Sequence, residues 1–115
     1  MAVQINFMVD QGSKFTGVVS VIDDDGSSFN LTGYTPFSQM RKSYYTNTSI
    51  DIECEVEGDP VNGEIRLTIT PSVTNGIRAG RYVYDVEVHG ADVDDVKRIA
   101  EGIITVSPQV TRVNV

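Results

Sequence analysis

The sequence has 115 residues, of which 40% are hydrophobic, and 16 acidic against 9 basic residues give it a net charge of −7. This length predicts one domain that is stable without a metal or disulfide, and no apolar run approaches the roughly 18 residues of a membrane span. Basic residues are adjacent in the sequence only at Arg41-Lys42 and Lys97-Arg98. Because the neutralisation of phosphates needs clustered Lys and Arg, this distribution disfavours a nucleic-acid-binding face. The only cysteine, Cys54, has no partner for an internal disulfide.

The first half of the chain alternates apolar and polar residues with the two-residue period of a β-strand. This pattern predicts strands over residues 2–9, 15–22 and about 35–45. Pro36 indicates that the third strand begins at a sheet edge, because proline lacks the backbone N–H of a central strand. Asp-Asp-Asp-Gly-Ser-Ser at 23–28 predicts a turn.

The second half repeats the pattern. Ile50, Ile52, Cys54 and Val56 alternate with four carboxylates, which predicts one apolar and one solvent-facing side. Further strands are predicted over 64–70, over 80–88 with Tyr82 and Tyr84 facing the core, and after the loop 90–97 up to Pro108. The connector 71–80 has room for one helical turn.

Short strands at regular spacing, separated by turn residues, indicate an all-β fold, an antiparallel β-sandwich of about seven strands. A small closed barrel is the alternative. The expected boundaries are one domain over residues 1–108 and a C-terminal tail over 109–115.

Several side chains are of residue types that can form chemical sites. Asp23 to Asp25 invite a calcium interpretation, but adjacent carboxylates without a distant bidentate glutamate favour a turn. A second acidic loop holds Asp92, Asp94 and Asp95, and a cation site between the two loops requires both to lie at one end of the fold. His89 has no nucleophile motif beside it, which favours an exposed loop histidine over a catalytic base. Cys54 falls in the inward register of its strand, which favours a buried small hydrophobic residue.

Glu53, Glu55 and Glu57 share one strand face at a spacing of about 7 Å, which is within the range of glycosidase carboxylate pairs. Because the sequence indicates neither a cleft nor a raised pKa, a solvated face is the better interpretation. We therefore predict no catalytic residues, no cofactor and no metal site.

Candidate protein contacts come from residues with no evident place in the core. Tyr44-Tyr45 lies beside Arg41-Lys42, a mixture that is typical of binding surfaces, although ordinary half-exposed strand residues are the favoured explanation. The two chain ends offer edges and arms for a partner. The predicted contact residues are Val3, Ile5, Tyr44, Tyr45, Val110, Arg112, Val113 and Val115. The last four alternatively extend the final strand.

Seven short motifs occur in one order along nearly the whole chain. They are Asp10-Gln-Gly-Ser-Lys-Phe15, Asp24-Asp-Gly26, Leu31-Thr-Gly-Tyr34, Gln39-Met-Arg-Lys42, Gly63-Glu-Ile-Arg-Leu-Thr-Ile69, Ala79-Gly-Arg-Tyr-Val-Tyr-Asp-Val86 and Glu101-Gly-Ile-Ile-Thr-Val-Ser-Pro108. In this order the chain resembles small virion structural proteins of tailed bacteriophages, particularly those of T4-like phages that infect cyanobacteria. It is also similar to the immunoglobulin-like N-terminal domain of phage baseplate upper proteins.

The resemblance implies a non-enzymatic, immunoglobulin-like β-sandwich on a phage particle, made in the host cytoplasm, which agrees with the absence of a signal peptide. A sandwich of this size suits a capsid decoration (cement) protein that binds the major capsid protein. The alternatives are a tail, neck or baseplate accessory protein and, from another class, a carbohydrate- or cell-surface-binding sandwich. The expected partners are the major capsid protein or other virion proteins, with self-association as a further alternative, and neither nucleic acid nor a membrane is expected.

Overall fold

The computed structural model describes residues 2–111. Eight strands and one short helix form the fold, with a 3₁₀ turn at Pro60–Asn62. The strands are β1 (Val3–Gln4), β2 (Phe7–Asp10), β3 (Phe15–Ser20), β4 (Thr35–Arg41), β5 (Ile50–Val56), β6 (Glu64–Ile69), β7 (Gly80–His89) and β8 (Val96–Ser107), and the helix is α1 (Pro71–Thr74).

The strands form one curled sheet in the order β1-β8-β7-β4-β5-β6-β3, with β2 also on β8. The curl is produced by β5, which pairs with β4 through Ile50–Ile52 and with β6 through Glu53–Val56. One strand thus leaves the first layer and joins the second, as in sandwiches whose corners are made by a strand that switches sheets. This β-sandwich-like, all-β architecture confirms the predicted fold class.

The N-terminal strand departs from the prediction in two ways. It runs parallel to β8, so the sheet is mixed rather than purely antiparallel. It is also divided into β1 and β2, because the Asn6 side-chain oxygen accepts the Ile103 backbone N–H at 2.9 Å in place of a backbone carbonyl. The Ile5 carbonyl instead accepts the Tyr84 hydroxyl at 2.6 Å. Eight strands are therefore present where about seven were predicted.

Two other strands are shorter than predicted. β3 ends at Ser20, and Ile22 forms only an isolated bridge with Ser28. β4 ends at Arg41 rather than near Tyr45. Its start agrees with the expectation from Pro36, because that residue pairs with β7 alone and pairing with β5 begins at Ser38.

The core lies between the two layers and is built from alternate residues of nearly every strand. Tyr82 and Tyr84 are buried in it, as predicted. The same alternation occurs in β8, where Ala100, Ile104 and Val106 are buried and Ile103 faces the other way. The most completely buried side chains are Val9, Val19, Leu31, Met40, Ile65, Leu67, Ile69, Thr74, Val86, Val88, Ile104 and Val106.

The connection between β6 and β7 contains the predicted helical turn, α1. Its buried Thr74 donates its hydroxyl to the Ser13 carbonyl at 2.8 Å, which attaches the helix to the β2–β3 turn. Tyr82, near the start of β7, donates its hydroxyl to the Arg78 carbonyl at 2.6 Å. This bond back to a residue four positions upstream has the form of the tyrosine corner of β-sandwiches.

Candidate protein-interaction surfaces

The predicted contact residues fall into three groups. Tyr44 and Tyr45 lie in the β4–β5 loop and are 72% and 95% exposed, and Val110, three residues beyond β8, is 96% exposed. Val3 is partly exposed on the edge strand β1, whereas Ile5 is half-buried and packs against the core. Arg112, Val113 and Val115 lie outside the described residues.

The topology brings the first group to one end of the sandwich. β4 and β8 both finish at this end, on either side of the start of β7. Two strand spacings of about 4.8 Å separate β4 from β8, so the β4–β5 loop and the chain beyond Ser107 leave the sheet about 10 Å apart. Val3 pairs with Ala100, well away from this end.

We call this end the basic end and define it as residues 10–14, 41–49, 70–81 and 107–111. Its segments are held together by side-chain hydrogen bonds to the backbone. Gln11 donates its amide to the Ile77 carbonyl at 2.8 Å and accepts the Gln109 backbone N–H at 3.0 Å. The Lys42 ammonium lies 4.9 Å from the centre of the Tyr82 ring.

The basic end carries five cations and one carboxylate, a net charge of +4: Lys14, Arg41, Lys42, Arg78 and Arg81 against Asp10. Among residues 2–111, none of these cations forms an ion pair. Arg41 instead donates to the Thr46 and Asn47 carbonyls and holds the β4–β5 loop. Lys14, Arg78 and Arg81, whose side chains form no hydrogen bond or ion pair within the described residues, are therefore free to act on a partner.

The opposite end, which we call the acidic end, comprises residues 21–34, 57–64 and 90–97. Its three segments are also joined by contacts. The Val21 backbone N–H donates to the Gly63 carbonyl at 2.7 Å, and that of Leu31 donates to the Pro60 carbonyl at 2.9 Å. Lys97 donates to the Tyr34 hydroxyl at 3.0 Å, which attaches the β7–β8 loop to the other two segments.

The acidic end holds nine carboxylates and one cation, a net charge of −8: Asp23, Asp24, Asp25, Glu57, Asp59, Glu64, Asp92, Asp94 and Asp95 against Lys97. The two acidic loops do lie at one end, but no three His, Cys, Asp or Glu side chains within residues 2–111 are placed to hold a metal ion. Several carboxylates have local roles instead. Asp25 accepts from Ser27, which lowers the Asp25 pKa, and Asp95 binds Lys97, which lowers the Asp95 pKa.

A third surface is an open groove of about 890 Å³ on the outer face of the β4–β7–β8 layer. The Phe37 ring, 52% exposed, packs edge-on against His89 with ring centres 4.7 Å apart. His89 is thus a half-buried strand residue rather than the exposed loop residue that the sequence suggested, and its ring nitrogen lies 3.1 Å from a Glu87 carboxylate oxygen. Tyr44 lies at the rim of the groove, towards the basic end.

The middle of the groove is crowded with carboxylates. Arg98 lies 3.3 Å from Asp85 and 3.3 Å from Glu101. Partial burial, together with the negative charge of Glu87, raises the pKa of Asp85 despite this guanidinium. The groove therefore offers an aromatic ring beside polar and charged groups, an arrangement suited to holding a ligand by contact and hydrogen bonding.

The remaining chemical candidates have structural environments. Cys54 is half-buried on β5, and burial raises its thiol pKa to about 11, so little thiolate forms at neutral pH. Glu53 and Glu55 are exposed, and Glu57 is paired with Arg66.

The sequence reasoning missed the separation of charge between the two ends. The signal was present, because successive strands of an antiparallel sheet reverse direction and successive turns therefore lie at opposite ends. Assigning each charged residue to its turn would have shown that the basic turns are 10–14, 41–49 and 70–81, and that the acidic ones lie between them. The groove had no such signal, since it depends on how far the sheet curls.

Comparisons with known proteins bear on the fold and on the family of this chain. Within residues 2–111, no helix has the length and hydrophobicity needed to cross a bilayer. A crystal structure of InlP from Listeria monocytogenes is similar over 92% of this chain, with a TM-score of 0.50 and 11% sequence identity. A family 123 glycoside hydrolase from Clostridium perfringens is similar over 93%, with a TM-score of 0.43 and 10% identity.

The matched regions are 28% and 23% of those two chains, so this chain spans about a quarter of their length. At such identities the InlP likeness shows the fold alone. No curated protein sequence matches the chain. A family model does match, that of the BppU N-terminal domain, over residues 2–100. Since this match takes in most of the sequence, the chain belongs to the BppU N-terminal domain family, a family of phage structural domains found in baseplate upper proteins rather than a family of enzymes.

Proposed function

We propose that this chain is a non-enzymatic structural component of the tail or baseplate of a tailed phage particle, where it binds other virion proteins. The observation that carries the proposal is the family match over residues 2–100, because the family is that of baseplate upper proteins. The match favours a tail or baseplate position over capsid decoration, which the sequence alone had placed first. Neither the major capsid protein nor any other partner is specified by it.

We also propose that the sandwich is immunoglobulin-like. The hydrogen bond from Tyr82 to the Arg78 carbonyl supports this, since it has the form of the tyrosine corner of such sandwiches. An experimental structure in which the strands of the two layers cross near a right angle, rather than being aligned as in immunoglobulin domains, would contradict the assignment.

The basic end is the surface we propose for contact with the rest of the particle. It presents Tyr44, Tyr45 and Val110, which are all largely exposed, beside unpaired cations. Tyrosine and arginine are enriched at protein interfaces, where they supply contact area and directed hydrogen bonds. The segment from Gln109 to Val115, proposed as a tail distinct from the domain of residues 1–108, would extend this surface.

Quantitative mass spectrometry of purified particles tests the location. About six to a few dozen copies per particle, with immunogold labelling at the tail, are expected, whereas hundreds of copies on the shell would establish capsid decoration. Deletion of residues 110–115, which leaves the hydrogen bond between Gln109 and Gln11 in place, is expected to lower the copy number while the purified chain keeps its unfolding transition. Full occupancy by the deletion variant would refute the role of the tail segment.

A carbohydrate-binding function is a second candidate because of the groove, where Phe37 is exposed beside Gln39 and the Asp51 carboxylate. A glycan array tests it. A defined ligand that the Phe37→Ala variant no longer binds would support the candidate, and an array without specific signal would remove it.

A further inference from the structure

We propose that copies of this chain associate head to tail, the basic end of one copy docking on the acidic end of the next. This inference goes beyond a position on the particle and does not depend on it, because it concerns only surfaces of the chain itself. It names a second copy of the chain as the occupant of both end surfaces.

The first argument is the direction of the charge separation. The +4 and −8 ends lie at opposite ends of the strands, and β7 alone runs ten residues, about 33 Å, between them. The molecule measures 45 × 31 × 23 Å, and only the longest of these dimensions accommodates the twelve residues of β8. The long axis therefore follows the strands and joins the two charged ends.

Charge of this pattern selects one orientation. With a net charge of −7, two copies repel each other in most arrangements. Contact between two acidic ends or two basic ends brings like charges together, which costs free energy at an interface. A basic end facing an acidic end is the arrangement that brings the unpaired cations against surplus carboxylates.

The second argument is that both ends also expose apolar side chains. Tyr44, Tyr45 and Val73 are 72%, 95% and 40% exposed at the basic end. Ile22, Val61 and Val93 are 61%, 49% and 89% exposed at the acidic end. Apolar contact surrounded by charged groups is the usual composition of a protein interface.

The available area limits the size of the contact. A cross-section of 31 × 23 Å gives each end about 700 Å², slightly less than the roughly 800 Å² per partner of a standard interface. We therefore expect a weak association that high salt disrupts, since screening shortens electrostatic range to about 3 Å at 1 M. In a ring or stack, the contacts that a copy already makes raise the effective concentration of the remaining end surfaces, which strengthens the association. The interface is heterologous, so it leads to rings or open stacks rather than to a closed two-fold dimer.

Zero-length cross-linking of the full chain with a carbodiimide tests the contact directly. At low salt we expect cross-links from Lys14 or Lys42 to carboxylates of residues 23–25 or 92–95. These groups lie at opposite ends of one molecule, so such a cross-link forms only between copies. We expect at least a tenfold loss of these products at about 0.5 M NaCl. Oligomers cross-linked only through other pairs of residues, or no oligomers at millimolar protein concentration, would overturn the proposal.

Two charge variants and their mixture test the orientation. The first changes Lys14, Arg78 and Arg81 to Glu, and the second changes Asp23, Asp24 and Asp94 to Lys. In the described structure these six side chains form no hydrogen bonds or ion pairs, so both variants are expected to fold, which circular dichroism verifies. By analytical ultracentrifugation each variant alone is expected to associate far more weakly than the unchanged chain, because the basic end of the first variant becomes −2 and the acidic end of the second falls from −8 to −2.

Mixing the two variants restores one native contact, because the first keeps its acidic end and the second keeps its basic end. The expected product is a one-to-one heterodimer that grows no further. An interface between two acidic ends would let the first variant dimerise by itself, and one between two basic ends would let the second do so. Either result, or a mixture that stays monomeric, contradicts the head-to-tail arrangement.

Discussion

At the scale of single residues, Asp85 is the side chain whose environment opposes its charge. It lies in the groove with Glu87 and Glu101 nearby, and Arg98, 3.3 Å away, offsets only part of the effect of burial and of these two negative charges. Its raised pKa means that the folded protein binds the proton more tightly than the unfolded chain does. Ionisation of Asp85 therefore lowers the free energy of unfolding.

Asp85→Asn is accordingly expected to stabilise the protein at pH 7. Below pH 3.8, the ordinary pKa of an aspartate, Asp85 is protonated and contributes its full stabilisation to the folded protein. This stabilisation is lost as the pH rises through the higher pKa that Asp85 has in the folded state. An amide of the same shape keeps that stability at neutral pH. Urea unfolding at pH 7 measures the gain, and the same comparison at pH 3, where both side chains are neutral, is expected to show little difference. A variant less stable than the unchanged protein at pH 7 would mean that the Arg98 pair outweighs the burial.

At the scale of elements, the N-terminal strands show how one edge of the sheet is protected. The break at Ile5–Asn6 leaves only two and four residues in β1 and β2, so neither presents a long edge for pairing with another chain. Gly102 on β8 makes the break possible, because a Cβ there would overlap the Ile5 carbonyl oxygen and contact the Asn6 side chain. The backbone of one strand occupies the space of the missing side chain on the next.

Gly102→Ala is expected to destabilise the protein by about 2–3 kcal/mol, a typical cost of forcing atoms into a packed site. Chemical unfolding measures the loss, and faster amide hydrogen exchange at Ile5 and Ile103 would locate it at this strand pair. Gly76→Ala is the matched control, since its added Cβ meets only the Val73 carbonyl at 3.7 Å, an ordinary contact. Equal effects of the two substitutions would show that the loss does not come from the close approach of the Ile5 carbonyl to Gly102.

The same strands mark the limit of prediction from the sequence. Alternation identified the strands and the inward side of each, including Tyr82 and Tyr84, because a half-buried strand carries that information in its own residues. It gave neither the parallel pairing of β1 and β2 with β8 nor the transfer of β5 between layers. Those features depend on hydrogen bonds between residues that are far apart in the sequence, such as that of Asn6 with Ile103. Local periodicity carries no information about such bonds. For the interaction surfaces, Tyr44 and Tyr45 were identified, but the charge separation and the groove required the topology.

At the scale of the whole molecule, the charge separation has a cost within each copy. Eight surplus negative charges lie on three loops that pack against one another through Tyr34, Leu31 and Val21. Their mutual repulsion opposes the closing of these loops. The basic end, at the far end of the strands, lies more than a Debye length away at physiological salt and compensates little.

Thermal stability is therefore expected to rise with NaCl between about 20 and 200 mM, as the Debye length falls to below 10 Å and the repulsion is screened. For a domain of this size, relief of about 1 kcal/mol corresponds to an increase in Tm of roughly 4–6 °C. Differential scanning calorimetry at low protein concentration, where copies do not associate, measures it. A variant with Asp23, Asp24 and Asp94 changed to Asn is expected to have the higher Tm at 20 mM NaCl and a smaller salt response.

The screening of charges is complete within this range of NaCl, whereas the stabilisation by excluded salts such as sulfate continues to grow at molar concentration. A Tm that rises only above 0.5 M, equally in both proteins, would show that the acidic loops repel each other too weakly to matter for folding. The three carboxylates would then be retained for what they contact outside the molecule.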